Sequence, residues 1–321
     1  MGHSVRGTIA ALSPSLSIAA AVVACMLLIP ARNAQAGGRS DDCPADINGD
    51  GHTDIAVATH DQGVVAVLYG DGTGGFEQVE LDAEPNTFVH EVEVGDLNAD
   101  GVLEIYATPS LPNKLDGTEQ PGWVVRYVPA AGEGRVDVAD LGDRHAKEIL
   151  VDDIDGDGID ELYVAVEAVA GGRVEIRRYD ADTDPSEGIL VASLEDKLCR
   201  FLTAGDVDGD GHIDILVPDL RYGALYRNRG NGTYEDITEQ SGIAAAFAGK
   251  GQWASALFDF DNDGDLDIFS ANGTAEELIL QYPLLMENDG TGNFTDAGRT
   301  LGNYFSHKRS GRAAATWDYD N

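Results

Sequence analysis

The chain has 321 residues, of which 57 are Asp or Glu and only 21 are Lys or Arg, so its formal net charge is −36. An acidic excess of this size excludes nucleic acid and anionic membrane surfaces as natural partners, because both would be repelled. With 43% hydrophobic residues the chain is nonetheless globular in composition, and it is long enough for one large or two ordinary domains.

Residues 1–36 read as an export signal. Arg6 lies in a short n-region, Ile18 to Ile29 is almost wholly apolar, and Ala34-Gln35-Ala36 offers a small-x-small cleavage site. The apolar run is too short to span a bilayer comfortably, so no membrane span is expected. A second reading takes Val22-Val23-Ala24-Cys25 as a lipoprotein box with Cys25 lipidated, but Met26-Leu27-Leu28-Ile29 carries the apolar run past that cysteine. Both readings place the mature chain outside the cytoplasm, as a secreted, periplasmic or cell-surface protein. Cys43 and Cys199 then remain, either paired or as two separate thiols. Residues 37–45 form a short polar linker.

From residue 46 a nine-residue acidic pattern recurs five times. Its positions 1, 3, 5, 7 and 9 are Asp46, Asn48, Asp50, His52 and Asp54 in the first copy and Asp96, Asn98, Asp100, Val102 and Glu104 in the second. The third copy has Asp153, Asp155, Asp157, Ile159 and Glu161, and the fourth has Asp206, Asp208, Asp210, His212 and Asp214. The fifth has Asp259, Asp261, Asp263, Asp265 and Asp267. Position 6 is glycine in every copy: Gly51, Gly101, Gly158, Gly211 and Gly264. Carboxylates this close repel one another unless a hard cation neutralises them, and calcium takes six to eight oxygens from carboxylates, carbonyls and water. Positions 1, 3 and 5 would turn inward, position 7 would offer its backbone carbonyl, position 9 would close the shell, and the glycine would allow the sharp turn. About five calcium ions are therefore expected, with side chains at position 7, such as His52 and His212, left to solvent.

The copies start at residues 46, 96, 153, 206 and 259, a period of 50 to 57 residues. Between them lie short apolar or alternating runs separated by glycine-rich turns. The first period offers 55–59, 64–69, 76–81 and 89–94, and the second 104–108, 123–128, 135–139 and 148–151. The third offers 162–166, 173–179, 189–193 and 200–204, and the fourth 213–217, 224–228, 233–237 and, after a longer link, 253–258. No segment shows a sustained helical period, although Thr274 to Leu285 has room for one or two turns. Repeats of this length with four short strands predict an all-β fold, a β-propeller of four-stranded blades with an acidic loop joining the innermost strand of each blade to the second. A β-solenoid is disfavoured by the long period, and two sandwiches by the regular spacing. Trp317-Asp318-Tyr319-Asp320-Asn321 begins a sixth copy, so residues 46–321 are expected to hold about five blades plus one strand of an incomplete propeller, truncated at its C-terminus.

An EF-hand shares the first half of the pattern but needs a glutamate at position 12, where Val57, Ala107, Val164, Val217 and Ser270 stand. The pattern instead resembles the FG-GAP/VCBS repeat family, which implies an integrin-α-like propeller with calcium in these loops. Leu225 to Ile243, followed by Ala256 to Asp267, resembles bacterial secreted relatives of cartilage acidic protein. That likeness implies an ASPIC/UnbV domain beyond residue 321. Asn48, Asn98, Glu104 and Glu161 depart from the family pattern and imply weaker or altered sites.

No H-E-x-x-H, G-x-S-x-G or Cys–His motif is present in the sequence. His90 and His145 precede loops on innermost strands and either line the central channel or occupy ordinary strand positions. Trp123, Trp253 and Trp317 read as core residues, with sugar stacking a second possibility for the latter two. His307-Lys308-Arg309 with Arg312 is the one notable basic run. Three functions follow as expectations. The first is a non-catalytic module binding a protein or glycan at the propeller rim. The second is a calcium-dependent polysaccharide lyase of the rhamnogalacturonan type, with the basic run as a clamp for uronates, and the third is a structural module of a larger surface chain.

Overall fold

The computed structural model describes residues 45–59, 62–112, 119–167, 174–194, 201–219, 222–273 and 279–311. The expected export signal, Cys25, Cys43, Cys199, His60, Arg312, Trp317 and the start of a sixth acidic loop lie outside these residues.

The regular secondary structure of the described chain is almost entirely antiparallel β-sheet. The first sheet joins β1 (Ile55–Ala58), β2 (Val64–Gly70) and β3 (Phe76–Ala83). The second runs β4 (Phe88–Gly95), β5 (Glu104–Ser110), β6 (Trp123–Val128) and β7 (Glu133–Asp140). The third runs β8 (Ala146–Asp152), β9 (Glu161–Val166), β10 (Val174–Tyr179) and β11 (Ile189–Leu194). The fourth holds β12 (Thr203–Gly205), β13 (Asp214–Pro218), β14 (Gly223–Asn228) and β15 (Tyr234–Asp236). The fifth holds β16 (Gln252–Phe258), β17 (Asp267–Asn272), β18 (Leu284–Asn288) and β19 (Phe294–Asp296). Every sheet is a meander in chain order, as propeller blades are.

Each of the last four acidic nonamers is the hairpin loop between a blade's first two strands. Register fixes this, because the residue before position 1 pairs with position 9: Gly95 with Glu104, Asp152 with Glu161, Gly205 with Asp214 and Phe258 with Asp267. The first nonamer leads directly into β1, which corresponds to the second strand of the other blades.

Burial grades outward from the axis. The second strands β5, β9 and β13 are buried along their whole length, whereas β3 and β7 at the outer edge are largely exposed. Four apolar clusters each join one sheet to the next. Ile105 and Val65 meet in one, Tyr106 and Ile149 in the second, Tyr163 and Ile215 in the third, and Leu216 and Ile268 in the fourth. Position 2 of the acidic loop joins these clusters. Ile47, Leu97, Ile154 and Val207 are at most 3% exposed, so each of the first four loops inserts one apolar side chain between blades.

One helix departs from the strand-only expectation. The link after β15 contains α1 (Ile243–Phe247), a single turn of Ile-Ala-Ala-Ala-Phe. Five residues are too few to show a helical period, yet Ile243 and Phe247, four apart, are both fully buried. The Phe247 ring lies against Gly223 so closely that a Cβ there would meet its Cδ2 at 2.2 Å. The helical turns allowed for 274–285 are not found among the described residues. Leu280 and Gln281 form isolated bridges, and Leu284 and Leu285 belong to β18.

Candidate metal centre

The loop is built from its own side chains. The carboxylate at position 1 accepts the backbone N–H of position 6 in all five copies, Gly51 to Asp46 at 2.7 Å being the shortest. The carboxylate at position 5 accepts the N–H of position 7 in all five, at 2.8–3.0 Å. These bonds curl the backbone around positions 1, 3 and 5. The position 6 glycines have φ between 82° and 99°, as the turn requires. Position 4 also has positive φ throughout, with Ala99 at 54° and Asn262 at 62° where the other copies have glycine. That demand is masked in the sequence, because two of the five copies meet it with other residue types.

Position 9 has a second role. Asp54, Glu104, Glu161, Asp214 and Asp267 are all at most 4% exposed. Each accepts the N–H of its own position 2, at 2.9–3.2 Å, and so clamps the loop's entry to its exit. The three aspartates also accept an N–H from the end of the third strand: Gly70 at 2.9 Å, Asn228 at 2.7 Å and Asn288 at 2.8 Å. Asn288 in turn donates from Nδ2 to Val207 O at 2.8 Å, in the acidic loop of the preceding blade, and to Leu266 O at 2.9 Å. Asn228 likewise donates to Ile154 O at 3.3 Å in the preceding loop. A buried hydrogen-bond relay thus links the third, fourth and fifth acidic loops.

The expected ligands converge in three copies. Oxygens of Asp153, Asp155, Asp157 and Glu161 lie within 4.8 Å of one another, as do those of Asp206, Asp208 and Asp210, and of Asp259, Asp261 and Asp263. Among the described residues position 9 joins this convergence only in the third loop. Burial pushes Glu161 up to about 8, opposed by Arg178 and reinforced by Asp155. It pushes Asp214 up to about 7, opposed by the N–H groups of Val207 and Asn228 and reinforced by Asp208 and Asp206.

The donor set suits a hard divalent cation. Asp153 Oδ1, Asp155 Oδ1 and Asp208 Oδ1 are buried carboxylate oxygens without any hydrogen-bond partner, a costly state that a cation relieves. The third and fourth loops therefore fit calcium in carboxylate number and in open oxygens, and the fifth in carboxylate number. In the first loop Asn48 turns its amide to Asp50 Oδ2 at 3.0 Å, and its Oδ1 accepts Asp50 N. In the second loop position 3 is the neutral Asn98, and Glu104 is engaged by Leu97 N, Asn98, Tyr106 and Arg126.

The side chains at position 7 do more than face solvent. The rings of His52 and His212 and the carboxylate of Asp265 lie against the hairpin glycines Gly72, Gly230 and Gly290, where a Cβ would approach them within 2.1–2.6 Å. His212 is half-buried there.

His90 on β4 and His145 just before β8 come together, their ring centroids 5.5 Å apart. His145 is buried, and its Nε2 lies 3.9 Å from Glu167, whose carboxylate is taken by Lys147 at 3.3 Å. Burial, with Lys147 adding to it, pushes His145 down to about 4. Trp253 Nε1 donates to Gly273 O at 2.8 Å, and the Trp123 ring lies under Arg135. In the basic run Lys308 lies over Tyr282, Arg309 over Tyr304, and His307 Nδ1 sits 2.8 Å from Asn303 O.

A family model described as FG-GAP-like repeat matches residues 46–107, 153–217 and 206–270. Among solved structures the chain is similar to an Agrocybe aegerita lectin described for specific recognition of non-reducing terminal N-acetylglucosamine, at 19% identity and a TM-score of 0.41, over 78% of this chain and 63% of that one. It is also similar to rhamnogalacturonan lyase YesW, at 16% identity and a TM-score of 0.41, over 76% of this chain and 59% of that one. The chain thus spans less than two thirds of either structure, and neither likeness bears on ligand or activity. No curated protein matches the chain.

Two consequences can be measured. Asn288→Ala strips the buried Val207 carbonyl and the part-buried Leu266 carbonyl of their donor and should cost roughly 1–3 kcal/mol by urea unfolding at unchanged m-value, whereas the exposed Glu287→Ala should stay within about 0.5 kcal/mol. His145 is neutral in the fold at pH values where the unfolded chain binds a proton. Its contribution is therefore complete above about pH 6.5 and is lost as the pH falls towards 4. Over that window His145→Gln should lose about 2–3 kcal/mol less stability than the parent chain.

Proposed function

Because the chain belongs to the FG-GAP-like repeat family, we propose that it is an exported, calcium-binding β-propeller module that binds a protein or glycan partner at its rim and performs no catalysis. The observation that carries this reading is the convergence of carboxylates in the third, fourth and fifth loops, together with the unpartnered oxygens of Asp153, Asp155 and Asp208. A cation seated there would be held by the acids of positions 1, 3 and 5, with the carbonyl of position 7 adding an oxygen. It would remove the repulsion that otherwise opposes the turn. Loops of this kind in extracellular modules bind calcium at about 10⁻⁴–10⁻³ M, which suits a chain whose residues 1–36 we assign to export. The ions would then be structural, and recognition would fall to the side chains and turns around them.

A lyase would need a base and cations free to bind uronates. His145 is buried, which favours the binding module over the enzyme. The discriminating test is to incubate the exported chain and calcium with neutral and acidic polysaccharides, following both retention and cleavage. Retention that chelator abolishes, with no cleavage product, is expected. Accumulation of unsaturated oligosaccharides would replace the binding module with the lyase.

A further inference from the structure

We propose that the second acidic loop, residues 96–104, holds no divalent cation, and that Arg126 serves as its built-in cation. The inference rests on the calcium reading of the other loops and concerns how this one departs from them. Glu104 at position 9 accepts four donors. Its Oε2 takes Leu97 N at 3.2 Å and the Tyr106 hydroxyl, and its Oε1 takes Asn98 Nδ2 at 3.3 Å and Arg126 Nη1 at 3.0 Å. A carboxylate offers about four lone-pair sites, so none remains for a metal. The corresponding carboxylates keep room: Asp214 accepts two N–H groups, as does Asp267, and Asp54 accepts three.

Asn98 brings no charge with which to make up the deficit. Its Oδ1 accepts Asp100 N at 3.0 Å, which fixes the amide orientation and turns the NH₂ towards Glu104. Only Asp96 and Asp100 are left as acids, and this loop gathers no group of three acidic oxygens of the kind found in the third, fourth and fifth. Calcium affinity follows the number of charged ligands. Here one acid is saturated and one position is neutral.

The third loop is the instructive contrast, since it also carries an arginine. Arg178 reaches Asp155 Oδ2 at 3.1 Å and Glu161 Oε1 at 3.6 Å, yet Asp153 Oδ1 and Asp155 Oδ1 stay unpartnered. In the fourth loop Arg227 lies 3.4 Å from Asp208 Oδ2 and leaves Oδ1 open. An arginine near the loop therefore does not close it. The closure of the second loop comes from the combination of Glu104, Tyr106, Asn98 and Arg126. That blade would stay folded when calcium is withdrawn and anchor the loops that need the ion.

The test is a count of calcium bound per chain at saturating calcium, by equilibrium dialysis, for the parent chain, Asp96→Asn and Asp206→Asn. The expected result is an unchanged count for Asp96→Asn and a loss of one ion for Asp206→Asn. A loss of one ion from Asp96→Asn overturns the proposal. Should that variant not fold, Asp100→Asn at the exposed tip of the same loop gives the same reading. A parent chain that binds no calcium at all is a different failure, since it removes the calcium reading itself and this proposal with it.

Discussion

The buried carboxylate at position 9 is the contact on which each blade's hairpin depends. It ties the N–H of position 2 to the first residue of the second strand, and in three blades it also accepts the N–H at the end of the third. Burying a charge is tolerable only when it is hydrogen-bonded, so this acid prescribes the backbone around it. Position 2, pinned by that bond, places Ile47, Leu97, Ile154 or Val207 into the apolar seam with a neighbouring blade. Loop, hairpin and blade packing are in this sense one structure.

The remaining acids work against that arrangement. Positions 1 and 5 accept the backbone N–H groups that turn the loop, and in the third, fourth and fifth loops the carboxylates of positions 1, 3 and 5 are left close together. In the second blade position 3 is the neutral Asn98, and Arg126 pairs with the position 9 carboxylate of Glu104. The third, fourth and fifth retain converging carboxylates, some of whose oxygens have no partner. Asn228 and Asn288 connect those three loops, so the state of one loop's backbone bears on the position 2 carbonyl of the next.

Much of this was legible in the residues. Runs such as Leu162 to Val166 identified the buried second strands, and the five glycines at position 6 identified the turn, because left-handed backbone leaves few other choices. Helix α1 was not legible, since one turn carries no period. The relay was hidden for a different reason: Asn288 and Val207 are 81 residues apart, and an asparagine in a strand carries no mark of its distant partner. The saturation of Glu104 was hidden as well. The substitution of Glu for Asp suggested only an altered site, and the decisive neighbour, Arg126, comes from a strand 22 residues further on. Position 9 looked like a ligand because acids repeat there, whereas its burial assigns it first to the fold.

The most direct test of the central claim, that cation-holding loops are part of this fold, is a thermal melt of the chain followed by circular dichroism. The melt would be recorded in calcium, in magnesium and in excess chelator. At about 100 times its dissociation constant, calcium adds about 2.7 kcal/mol per independent site that exists only in the folded state. The account predicts that calcium raises the melting temperature by many degrees over chelator and that magnesium does not match it. Coincident melts in calcium and chelator would contradict it, and the loops would then be acidic turns held by their own hydrogen bonds alone.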